Sequence, residues 1–190
     1  KKTVSEVLTK TNISGLDIIP SDIDLASAEV ELVNTVGRET ILKFNLEGML
    51  GAYDYVLIDC PPSLGLLTLN ALTVANEIFV PLQTEFFALQ GVSKLIQTFD
   101  VIKKRLNSSL EITGIIVCMY DSRTKLGQAV LDKIKEYFAE KVFVTTIRKN
   151  IKLSESTSHG VPITVYAPDS NGAQDYEALT KEIIAQEKKK

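Results

Sequence analysis

Residues 53–63 read YDYVLIDCPPS, and the rest of the chain is best interpreted outward from them. Tyr55 to Ile58 are apolar without a break, so the run predicts a strand over Tyr53–Asp59 that is buried on both faces. It stops at one carboxylate, Asp59, and the prolines Pro61 and Pro62 prevent its continuation. On either side, short apolar runs alternate with longer helical patterns. Leu16–Pro20, Ile78–Leu82, Ile112–Met119 and Val142–Ile147 read as further strands. Residues 64–75, 87–106, 125–139 and 171–186 read as helices, and residues 25–50 carry helical spacing broken near Gly37. Lys103, Lys104 and Arg105 suit the negative end of the second of these helices, and Ser170 or Asn171 the start of the last. Apolar strands joined by helices predict an α/β fold: a mostly parallel sheet with helices on both faces.

With 190 residues and no Gly/Ser/Pro linker or repeat, the chain reads as a single domain, 1–190. Apolar residues make up 45% and charged residues 24%, which excludes a disordered or collagen-like chain. Cys60 and Cys118 lie inside apolar runs and read as reduced core residues of a cytoplasmic protein. With a single histidine there is no ligand set for structural zinc. No apolar run is long enough to span a membrane, and no hydrophobic signal region follows Lys1 and Lys2.

Ligands of parallel sheets bind beyond the carboxyl ends of the strands, so chemistry is sought there. Asp59 has the shape of a Walker B carboxylate, which holds Mg²⁺ beside nucleotide phosphates. The competing reading makes it a helix cap, a duty for which Ser63 is better placed. Between 121 and 152 there are eight basic residues against four acidic ones, a local charge of +4 in a chain of net −3. Such asymmetry suits a phosphate backbone, or equally a solvated helical face. His159 has no nucleophile elbow to serve, Cys60 has no base beside it, and Phe86-Phe87 read as packing at a helix start.

The segment YDYVLIDCPPSLGLLTLNALTVANEIFVPLQTEFFALQ (53–90) resembles the ParA/Soj partitioning ATPases, deviant-Walker P-loop proteins related to MinD. The resemblance extends through IPSDIDLASAEVEL (19–32), MYDSRTKLGQAV (119–130) and IRKNIKLSESTSHGVPI (147–163), ending near Ile184. It implies a P-loop NTPase fold of which this chain is the C-terminal two-thirds to three-quarters, with N-terminal strands missing. The family's KGGVGKT-like loop has no counterpart in this sequence. The 190 residues by themselves are therefore expected to hydrolyse ATP negligibly, since no backbone amides and lysine cradle the phosphates.

Carried over by position, Asp59 matches the Walker B aspartate that holds Mg²⁺ through water, and Asp59–Ser63, with Pro61, the segment that senses the γ-phosphate. Arg148-Lys149-Asn150 matches a Pro-Arg-Asn loop that lies against adenine; Asn150 agrees and Arg148 replaces the proline. Arg123 and Lys152 match basic positions that contact DNA without sequence preference, the family having arginine at the second. The resemblance implies ATP and Mg²⁺ as cofactors, an ATP-dependent homodimer, non-specific double-stranded DNA and a ParB-like protein as partners, and a cytoplasmic, nucleoid-associated location. Two alternatives stand beside it. A MinD-like membrane-cycling regulator would need a bulkier apolar tail than Ile183 and Ile184 before Gln186-Glu187-Lys188. A non-catalytic binding module would follow if the P-loop were absent in nature.

Overall fold

The computed structural model describes residues 2–85 and 88–188, and for residues 88–94 the backbone alone. Phe86 and Phe87 lie outside the described residues. The chain divides into two compact units, residues 1–76 with 100–110 and residues 77–99 with 111–190.

The first unit opens with α1 (Val4–Val7) and the antiparallel pair β1 (Thr9–Lys10) and β2 (Asp17–Ile18). The helical spacing over 25–50 resolves into short pieces: a 3-10 turn at Ile23–Ser27, α2 (Ala28–Glu31) and α3 (Ile41–Leu46). Gly37, at φ +70°, takes the left-handed turn that ends any continuous helix there. The short helix foreseen over 64–75 is α4 (Leu66–Val74). Buried Asn70 ties α3 to α4: its Oδ1 accepts from Leu42 N at 2.9 Å, and its Nδ2 donates to Arg38 O and Leu66 O at 2.7 and 2.8 Å.

The stretch that anchors the sequence reading differs from its expectation. Residues 53–59 form no strand, and Tyr55, Val56 and Leu57 are exposed, Leu57 by 87%. A strand is held by ladder hydrogen bonds to a neighbour. Among the described residues the named strands pair only as β1 with β2 and as two strands of the second unit, and the 53–59 segment joins neither ladder.

The second unit holds β3 (Glu77–Gln83) and β4 (Glu111–Cys118), parallel and in register from Glu77↔Glu111 to Gln83↔Cys118 with one irregularity at Ile78/Phe79. α5 (Ala88–Arg105) connects them and runs through both units. Residues 142–148 lie parallel to β4 as foreseen, through bridges Ile115↔Val142 and Tyr120↔Arg148, without forming a regular strand. The reason lies in the last helix. The Glu182 carboxylate accepts from Val144 N at 2.7 Å and Thr145 N at 2.9 Å, so Thr145 N is drawn from the ladder that Phe143 N and Ile147 N make with β4. α6 (Lys125–Phe138), α7 (Ile151–Ser158), α8 (Ile163–Tyr166) and α9 (Asn171–Glu187) complete the unit. Ser170 caps α9, accepting from Ala173 N at 3.2 Å.

Alternation along β3 and β4 buries both sheet faces. Phe79, Ile116 and Cys118 pack with Phe143, Ile147, Leu179 and Ile183, while Val80, Leu82, Ile115 and Val117 are buried on the opposite side. Gly114 is where Phe143 crosses the sheet: a Cβ there would stand 2.1 Å from the ring. Both cysteines are free: Cys118 is half-buried and packs against the core as expected, whereas Cys60 is exposed. Cys60 is exposed because the strand expected to bury it is not formed.

Candidate functional site

Asp59 sits at the end of the extended 53–59 segment, exposed, and Cys60-Pro61-Pro62 lead from it toward α4. Ser63 does not cap that helix. Gly65 occupies the N-cap, two residues further on, and the free amides of the first turn are satisfied from a distance. The Glu29 carboxylate accepts from Leu66 N at 2.6 Å and Leu67 N at 3.1 Å, an acidic group at the positive end of the helix. A Cβ at Gly65 would stand 2.3 Å from Glu29 Oε1, so any side chain there would displace the carboxylate. Ser63 contributes its carbonyl instead, accepting from Thr68 Oγ1 at 2.6 Å. Capping therefore makes no demand on Asp59. Desolvation, then the Asp59 charge, pushes the neighbouring Cys60 thiol up, so Cys60 is no activated nucleophile.

In the second unit the loop after β4 and the loop before α7 are stitched together. Tyr120 N donates to Ile147 O at 3.0 Å and Lys149 N to Tyr120 O at 3.1 Å. Met119, at φ 52°, turns the chain into this arrangement. The Asp121 carboxylate then accepts from Arg123 three times: from its backbone N at 3.0 Å, from Nε at 2.9 Å and from Nη2 at 2.7 Å. These bonds, side chain first, hold the Asp121 carboxyl down to about 2. Arg123 remains 87% exposed. Thr124 caps α6, accepting from Gly127 N at 3.1 Å, and Gly127 has no room for a side chain against Thr124 and Asp121 O.

Arg148 is held differently. Its Nη2 meets Asp175 Oδ1 at 2.6 Å, its Nε both carboxylate oxygens at 3.0 Å, and its backbone N donates to Oδ2 at 2.9 Å. The Asp175 side chain is only 10% exposed, so this pair clasps the strand end to α9. Asn150 caps α7, its Oδ1 accepting from Lys152 N at 2.9 Å, and its amide group carries the donors that a base edge would need. Lys152 Nζ meets Glu155 Oε2 at 2.8 Å and lies 5.8 Å from the centre of the Tyr166 ring, whose hydroxyl donates to the same Glu155 oxygen at 3.0 Å. His159 stacks on Tyr166 at 5.1 Å, a packing role.

The structure thus gathers Arg123, Arg148 and Asn150 onto two joined loops of one unit, with Lys152 in the first turn of α7, and Asp59 with Pro61 onto a loop of the other. Four further residues shape these loops: Glu29, Asp175, Glu155 and Glu182. Glu155 had a signal, standing three residues after Lys152 on a helix. The other three act on residues far away in sequence. Asp59 offers one exposed carboxylate, and Mg²⁺ takes one or two protein carboxylates and otherwise waters and phosphates. Among the described residues no group of three or more His, Cys, Asp or Glu forms a self-sufficient metal cage.

A family model described as an AAA domain matches residues 1–112. The sporulation initiation inhibitor protein Soj of Bacillus subtilis is 48% identical over 182 residues, covering 96% of this chain and 72% of the relative. The chain belongs to the Soj/ParA family of chromosome-partitioning ATPases. The chromosome-partitioning ATPase Soj of Treponema pallidum agrees, at 49% identity over 98% of this chain and 74% of its own. Among solved structures, cobyrinic acid a,c-diamide synthase of Mycobacterium smegmatis with bound ADP and magnesium superposes with a TM-score of 0.79 at 34% identity. It covers 97% of this chain and 67% of that one. The likeness bears out the P-loop NTPase fold expected for a Soj/ParA protein.

Proposed function

We propose that this chain is the C-terminal part of a single ParA-type domain that uses ATP and Mg²⁺ to control non-specific binding of an ATP-dependent dimer to nucleoid DNA in the cytoplasm, with a ParB-like protein stimulating hydrolysis. The observation that carries this reading is the near-half identity to Soj proteins across almost the whole chain. Asp59 would hold Mg²⁺ through water, with Pro61 in the segment that follows the γ-phosphate. Asn150 would meet the adenine edge. Arg148, clasped to Asp175, acts there by holding the Asn150 loop in place. Arg123 and Lys152 would contact DNA phosphates, and Lys125, Lys133, Lys135, Lys141 and Lys149 of the same unit are also exposed. Magnesium supplies charge neutralisation of the phosphates when bound.

One feature weighs against the membrane-cycling alternative. Ile183 of α9 packs into the core of the second unit, which leaves Ile184 as the exposed member of the pair, a thin apolar face for a membrane. No helix among the described residues is long and apolar enough to cross one. The test is Mg²⁺-dependent ATP hydrolysis by this chain preceded by its family's phosphate-binding loop. Asp59→Ala should abolish turnover, whereas Arg123→Ala and Lys152→Ala should spare it and weaken ATP-dependent binding to every duplex alike. Each lost phosphate contact should flatten the dependence of log K on log salt by about 0.9. Normal hydrolysis by Asp59→Ala would remove Asp59 from the site. Turnover by the 190 residues alone would show that the phosphate loop is dispensable.

A further inference from the structure

We infer that Asp121 and Glu155 are built-in competitors of the DNA backbone, each holding one of the two cations through which phosphate would be bound, so that DNA must displace a carboxylate of this chain. The inference rests on the reading of Arg123 and Lys152 as DNA contacts, and names how that contact is restrained.

The geometry of the first pair is the argument. Asp121 takes Arg123 through Nε and Nη2 at 2.9 and 2.7 Å, the two-point arrangement that a phosphate would use on the same guanidinium. Glu155 occupies Lys152 Nζ at 2.8 Å. Both cations face solvent, at 87% and 52% side-chain exposure, so an incoming anion can reach them. The carboxylates are the fixed partners. Asp121 is also bonded to Arg123 N at 3.0 Å, and Glu155 to the Tyr166 hydroxyl at 3.0 Å. The cationic ends of Arg123 and Lys152 can therefore exchange partners without unmaking the loops. The Arg148–Asp175 pair shows the contrast, since its carboxylate is 10% exposed against 26% for Asp121, and its guanidinium 45% against 87%. Because the Asp121 carboxyl stays ionised down to about pH 2, protonation does not release Arg123; a competing anion does.

Exchange has a thermodynamic signature. When phosphate takes the cation, the abandoned carboxylate recruits a counterion, and net ion release on binding falls below the number of phosphate contacts. Asp121→Asn and Glu155→Gln keep an oxygen for the Arg123 amide and the Tyr166 hydroxyl while removing the competing charge. Each should tighten binding to a labelled duplex of arbitrary sequence about two- to fivefold, and steepen the salt dependence. The measurement is ATP-dependent fluorescence anisotropy across a salt series, on the protein carrying this chain behind its phosphate-binding loop. Glu140→Gln, which changes net charge equally but touches neither cation, is the control. A gain no larger than that of Glu140→Gln overturns the inference while leaving the DNA contacts standing. If Arg123→Ala and Lys152→Ala leave affinity and slope unchanged, the DNA reading itself falls and the inference with it. A second measurement needs no variant: adding duplex to the unmodified protein should shift the carboxyl carbon resonances of Asp121 and Glu155, and resonances that stay still overturn the displacement.

Discussion

Placing one methyl group at Gly114 should destabilise the second unit by about 2–3 kcal/mol. A Cβ there would lie 2.1 Å from Phe143 Cε2, 2.7 Å from Cζ and 2.9 Å from Cδ2. Carbon atoms in contact prefer about 3.5–4.0 Å, so the ring must retreat by roughly 1.5 Å. It has little room to do so: Phe143 is 4% exposed, stacked on Phe79 at 5.9 Å and packed with Ile147 and Leu179. Overpacking of this kind costs about 1–3 kcal/mol, and the aromatic pair contributes a further ~0.5–1.5. Against this, alanine in a strand gains about 0.5–1 kcal/mol over glycine. The assay is urea unfolding of Gly114→Ala, Phe143→Leu and the double variant by far-ultraviolet circular dichroism, as the chain has no tryptophan. Hydrogen exchange at the β4 amides isolates the second unit from the first. If the methyl acts through the ring, the double variant is more stable than the summed single losses imply, by at least about 1 kcal/mol. Additive losses, or a Gly114→Ala chain as stable as the unmodified one, would refute the reasoning. The consequence reaches the site, because the segment carrying Phe143 leads directly to Arg148 and Asn150.

Glu29→Ala should leave the first-turn amides of α4 to water and cost the first unit about 1–3 kcal/mol, read as faster hydrogen exchange at Leu66 and Leu67. Asp121 should titrate near pH 2 rather than at its ordinary 3.8, followed by its carboxyl carbon resonance. The folded value lies below the unfolded one, so whatever stability this pair gives is complete above about pH 4. It fades as pH falls through about 2. A midpoint near 3.8 would show that the Arg123 contact does not persist in solution.

Local pattern was enough for every element whose partners lie close in sequence or whose apolar face repeats. β3, β4, α5, α6 and α9 fall within a residue or two of their sequence bounds, because each carries a pattern of apolar residues that its own local geometry can satisfy. The same holds for Arg123 between a strand and a helix, and for the i,i+3 pairing of Lys152 with Glu155. The family, too, was legible from motifs alone. Tertiary structure decided the rest, and in each case the deciding group is remote. α4 is capped from 37 residues away by Glu29, not by nearby Ser63. Arg148 is clasped by Asp175, 27 residues on. Glu182 unpicks the ladder at Thr145 from 37 residues away. Residues 53–59 have the composition of a central strand without its structure, since a strand consists of hydrogen bonds to a neighbour and composition specifies only the willingness to make them.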